Sequence, residues 1–190
     1  MSLIRPIAAA CSAVFLVLPL LAYPQAIGAA PATKAQANSF FESCLIGKPP
    51  FVSNDAIMTL CACYSASVME TLSAEDIANI GSPDSDPLRR KILTDIYAPC
   101  VENVIAEILR DECLNDPKVR DLEGRYNTQD ICSCAAHQTH LWTEGKGKNL
   151  MTEGLQGNPA PEQPLMLILS HPLLVSQKTG NMVACSAVPR

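Results

Sequence analysis

Cys132, Cys134, His137 and His140 fall together as C-x-C-x-x-H-x-x-H, the densest set of chemically capable side chains in the chain. Thiolate and imidazole are the ligands that zinc or copper takes. On a helix, however, positions i and i+2 point about 200° apart, so only one cysteine could face the two histidines. An alignment of Cys61 with Cys132 puts Ala66 and Met69 where the histidines stand, so a metal role would belong to one part of the chain alone. Disulfides account for the sulfurs better, and no cofactor is expected.

Other chemistry lacks its required spacing. Thiol oxidoreductases use C-x-x-C with a lowered thiol pKa, and haem attachment needs C-x-x-C-H; neither motif occurs. Ser170 and His171 lie side by side, yet no G-x-S-x-G elbow and no H-E-x-x-H accompanies them. The run G-K-G-K at 145–148 lacks the G-x-x-x-x-G-K-[ST] spacing of a phosphate loop. The chain is not expected to be an enzyme.

The cysteines themselves organise the sequence. Eight of the nine repeat the order Cys, Cys-x-Cys, Cys: Cys44, Cys61, Cys63 and Cys100, then Cys113, Cys132, Cys134 and Cys185. Two cysteines on opposite sides of one helix cannot easily bond each other, but each can reach a different neighbour. The expected fold is therefore all-α: a disulfide-stapled helical protein of two similar four-cysteine units. Each Cys-x-Cys helix would be clamped to one upstream and one downstream element. Four cysteines allow three pairings, and the order within each unit stays open.

The ninth cysteine, Cys11, lies in a stretch that reads as a signal peptide over residues 1–30. Arg5 supplies the basic start, and residues 7–22 form an apolar core interrupted by Ser12 and Pro19. Ala26 and Gly28 suit the small-residue positions before a cleavage bond. Export to the periplasm or the extracellular space fits an even number of remaining cysteines. After cleavage no membrane span is expected, because the apolar run at 165–169 is far too short. Without Arg5 the mature chain carries 13 basic and 19 acidic residues, a net −6. That balance, with no basic cluster, argues against nucleic acid and anionic membrane surfaces as partners.

Elements follow from apolar spacing. Phe40, Phe41 and Cys44 share a helix face that stops at Gly47 and Pro49-Pro50. Ser53 or Asn54 can cap a helix to Leu72, with Ile57, Leu60, Cys61, Tyr64, Val68 and Leu72 on one stripe. Ser73 and Asp76 form a capping box, and Pro87 suits the first turn of a helix expected to end at Pro99. Val101, Val104, Ile105, Ile108 and Leu109 mark the clearest amphipathic helix, which joins unit 31–100 to unit 101–190. Cys44 and Cys113 share a preceding acid and a following leucine, which suggests an internal duplication. Residues 145–164, with four glycines and three prolines, are expected to be an irregular exposed loop. Residues 165–175 should form a buried helix kinked at Pro172.

Eight-cysteine helical lipid carriers combine a C-x-C with an adjacent Cys-Cys pair. This chain has two C-x-C and no Cys-Cys, so it lacks their defining feature. A stapled, rigid scaffold without a catalytic constellation points to binding: an exported accessory or inhibitor-like protein with a protein partner. Helices around a thin aliphatic core can also leave an apolar cavity, so a carrier of a small apolar ligand or a metal ion is the alternative.

Overall fold

Thr33 opens the first helix with a capping box, its hydroxyl accepting the Gln36 N–H while the Gln36 side chain returns to the Thr33 N–H. From there the computed structural model, which describes residues 29–82 and 84–187, is helical throughout. The expected signal segment lies outside the described residues apart from positions 29 and 30. The helices are α1 (Lys34–Ile46), α2 (Asn54–Thr71), α3 (Ala74–Asn79), α4 (Asp86–Lys91), a π-helical segment (Ile92–Tyr97) and α5 (Ala98–Asn115). They continue as α6 (Pro117–Arg120), α7 (Thr128–Thr143), α8 (Gly147–Gly157), α9 (Pro164–Leu169) and α10 (Pro172–Ser186). Among the described residues no strand forms; a single antiparallel bridge joins Pro31 to Ser73.

All four disulfides link different helices. Cys44–Cys61 ties α1 to α2 and Cys63–Cys100 ties α2 to α5, while Cys113–Cys132 ties α5 to α7 and Cys134–Cys185 ties α7 to α10. Each Cys-x-Cys thus divides its bonds between an upstream and a downstream helix, as the i, i+2 geometry requires. The pairing order is first with second and third with fourth in both halves.

Helix α5 is the hub. It carries Cys100 near one end and Cys113 near the other, and its stripe of Val101, Val104, Ile105, Ile108 and Leu109 is buried. One core runs from Val52 and Leu60 through α5 to Met151, Leu155, Ile168 and Leu174. The boundary expected at residue 100 therefore falls inside a helix, and the core crosses it. The burial is mostly aliphatic, at roughly 1.5–3 kcal/mol for each fully covered large side chain.

Three expectations about chain breaks change. Pro99 does not end its helix. The preceding residues widen into a π turn, where the Ala98 N–H donates to the Leu93 carbonyl five residues back. A proline inside a regular helix removes one hydrogen bond and presses its ring on the carbonyl four residues earlier; a wider turn relieves the clash. Pro172 does not kink one helix but starts another, in the first-turn position where its missing N–H costs nothing. Residues 147–157 are not an irregular loop but helix α8, which buries Leu150, Met151 and Leu155. Glycine and proline content misled there because contacts with the rest of the fold outweigh weak local propensity.

The start of α2 shows how α5 organises its neighbours. Ser53 caps α2 through its hydroxyl, which accepts the Ala56 N–H at 3.1 Å and donates to Glu107 at 3.1 Å. The Ser53 N–H donates to Asp111 at 3.0 Å. Ser53→Ala removes both hydroxyl bonds and is expected to lower stability by about 1–2 kcal/mol, read as a lower urea midpoint at unchanged slope.

Candidate functional site

The residues singled out for metal binding separate in the structure. Cys132 and Cys134 are held in disulfides to α5 and α10, so their sulfurs are not free thiolates. His137 is exposed on α7, and His140 sits half-buried with Nε2 at 3.8 Å from Glu144. Among the described residues no cluster of three or more histidines, cysteines and carboxylates is placed to hold a metal ion.

His171 has a structural position. Its Nδ1 accepts the Leu173 N–H at the start of α10, at 3.4 Å, and its Nε2 lies 3.2 Å from Glu153. With Nδ1 accepting, the neutral ring carries its proton on Nε2 and donates it to the carboxylate. Ser170 is turned away, its hydroxyl donating to the Met166 carbonyl. A histidine and a carboxylate meet here without a free nucleophile, at a helix end.

The G-K-G-K run is committed as well. Glu102 of α5 accepts the Gly145 N–H at 3.0 Å and the Gly147 N–H on its other carboxylate oxygen. These are the donors that a phosphate would need, and an internal carboxylate at the start of α8 takes them. Lys148 pairs with Asp95 at 2.7 Å, a hydrogen bond that holds the Asp95 carboxyl below the usual carboxylate range.

What the fold does build is an aromatic cleft of about 300 Å³ between α1, α2, the π segment and the strap leading into α9. Three rings wall it. Phe40 and Tyr64 meet edge to face with centroids 5.6 Å apart, and Tyr64 and Tyr97 do so at 5.2 Å. Such perpendicular pairs are the preferred arrangement of aromatic quadrupoles. Ile57, Leu93 and Leu165 add aliphatic surface; Ser39 and Ser43 stand on the α1 rim, with Glu162 and Gln163 opposite.

Each wall has a local cause. The Cys44–Cys61 bridge, at 5.6 Å between Cα atoms, fixes α1 against α2 beside the cleft. The π turn that admits Pro99 also carries Leu93 and Tyr97, and such insertions are common where a helix face must be re-aimed. Buried Leu165, Ile168 and Leu169 anchor α9 and bring the strap over the opening. Burial pushes the phenols of Tyr64 and Tyr97 well up, so both stay protonated at neutral pH.

Spacing placed Phe40 and Tyr64 on apolar stripes and read them as core. The one usable signal was scarcity. The whole chain holds four Phe, four Tyr and one Trp, and three of these nine converge here.

No known protein family, curated protein or solved structure matches this chain. The class defined by the fold is an all-helical protein stapled by four disulfides, with no described helix long and apolar enough to cross a membrane.

Proposed function

We propose that this protein is an exported, non-catalytic binding protein that holds a small, largely apolar ligand in the Phe40–Tyr64–Tyr97 cleft. The observation that carries the reading is the cleft itself. A concave, mainly apolar site with a few polar groups on its rim is how small-molecule sites are built, and about 300 Å³ lies within their usual range. The disulfides support an oxidising compartment, in keeping with the leader-like first thirty residues. A rigid, cross-linked frame also favours binding, because little ordering is required when a ligand enters.

The test is the fluorescence of N-phenyl-1-naphthylamine, a neutral apolar probe, titrated with the disulfide-intact protein. One saturable site is expected. Ser43→Trp would fill the cleft from the exposed face of α1 and should weaken binding at least about tenfold while leaving the melting temperature unchanged. Saturable binding that ignores Ser43→Trp, or no binding by the parent protein, would overturn the reading.

A second reading, contact with a protein partner, has its own observation. Leu122, Tyr126 and Val183 are exposed around a cleft of about 320 Å³ between the turn after α6 and the end of α10. Exposed apolar groups gathered at one place mark interaction sites more often than scattered ones do. The segment 145–164, expected to be an exposed loop, does not supply such a surface where it forms α8, since α8 turns its apolar side chains inward.

A further inference from the structure

The charge distribution around the aromatic cleft bears on what enters it. The lining contains one acid, Glu162, and no lysine, arginine or histidine. Glu162 is exposed on the strap and has no ion-pair partner among the described residues. Lys48, the base nearest in sequence to the lining residue Gly47, gives its ammonium to Asn54 at 2.7 Å. Lys148 is held by Asp95 at 2.7 Å. These two bases are thus engaged elsewhere, while no ion pair among the described residues holds the carboxylate at the mouth.

The walls are of a kind that suits the same charge. An aromatic ring presents negative electrostatic potential on its face, and Phe40, Tyr64 and Tyr97 all line the cleft. Three rings around one opening, with a carboxylate beside it, form the arrangement that recognises alkylated ammonium groups. An anionic ligand would meet repulsion from Glu162 and find no positive partner. A purely neutral ligand would use the aliphatic and aromatic surface but leave the field unused.

We infer that the Phe40–Tyr64–Tyr97 cleft selects an organic cation, an alkyl- or arylammonium whose apolar body lies on the rings and whose charge is balanced by Glu162. This inference rests on the proposed small-ligand reading of the same cleft. It adds the sign of charge, which that reading does not require.

Phenyltrimethylammonium and tert-butylbenzene have the same shape and differ only in a positive nitrogen replacing a neutral carbon. Both are titrated with the intact protein, and binding is followed by NMR shifts of the tyrosine rings. The cation is expected to bind at least about fivefold tighter than its neutral isostere. Glu162→Gln, on an exposed strap position, should lower the cation's affinity about fivefold and leave the neutral compound unchanged. Phe40→Leu should likewise reduce the preference for the cation more than it reduces affinity for the isostere.

Equal or tighter binding of tert-butylbenzene would overturn the charge selectivity while leaving the small-ligand reading in place. A cation preference untouched by both Glu162→Gln and Phe40→Leu would place the selective site elsewhere and overturn the inference. Failure of both compounds and of the neutral fluorescent probe would sink the small-ligand reading too.

Discussion

Replacing Cys134 and Cys185 together by serine is expected to destabilise the protein by about 4 kcal/mol on the chain-entropy model. The bridge closes the longest loop of the four, with a sequence separation of 51. The native side of the balance points the same way. Helix α10 buries only Leu174 and Cys185 among its described residues. Its polar ties to the body are modest: Lys178 to Glu112 at 2.7 Å, partly exposed, and the Asn181 amide to the Thr139 hydroxyl at 2.9 Å. A partly exposed ion pair contributes roughly 0–1 kcal/mol, so it cannot replace a covalent link. The matched loss of Cys44–Cys61, which closes a separation of 17, should cost nearer 3 kcal/mol. Urea unfolding without reductant reads both. A smaller effect for the Cys134–Cys185 pair, with hydrogen-exchange protection lost over residues 172–186 alone, would mean that α10 opens as a local unit.

The second large effect is expected at Gly147. A Cβ built there would lie 2.6 Å from a Glu102 carboxylate oxygen and 3.0 Å from the Ala98 carbonyl oxygen. The carboxylate could swing aside, but it would then abandon the Gly145 and Gly147 N–H groups. The Ala98 oxygen belongs to α5 and cannot easily move. Gly147→Ala therefore combines steric strain with loss of a charge-assisted cap, for a cost of about 2–4 kcal/mol in urea unfolding. Gly154 on the same helix is the control. A Cβ there meets only Leu167 side-chain atoms, at 3.4 Å or more. Gly154→Ala should stabilise by about 0.5–1 kcal/mol through helix propensity. Similar losses at both positions would show that α8 resists any added side chain, and the Glu102 account would fall.

These two sites also show where sequence reasoning ends. The Cys-x-Cys spacing, combined with the helical period, dictated that each pair must bond outward to separate helices, and the structure has four such bridges. The amphipathic stripe at Val101–Leu109 is equally local: burial follows from the period of the side chains, and α5 buries that stripe. Caps at Ser53 and Ser73 were readable because a short polar side chain satisfies backbone donors within three residues. An internal duplication stays a reading of the cysteine spacing. The shared helix α5 and continuous core give the two halves no separate interiors.

Helix α8 was not legible for the opposite reason. Its three glycines, and the prolines that follow at 159, 161 and 164, argue for a loop on local grounds. Its apolar Leu150, Met151 and Leu155 and the carboxylate at its start become decisive only after α5 is in place. The aromatic cleft is a product of assembly in the same sense. Phe40, Tyr64, Tyr97 and Glu162 come from four segments spread over more than a hundred residues. No periodicity connects them.

By itself, then, the sequence determined helices, caps and the outward direction of each cysteine bond, because those depend on neighbours within a turn or two. Tertiary structure alone decided which partner each cysteine took and that a proline could be carried through a widened turn. It also decided that three of nine aromatic side chains should enclose a site, since each of these depends on which helix packs against which.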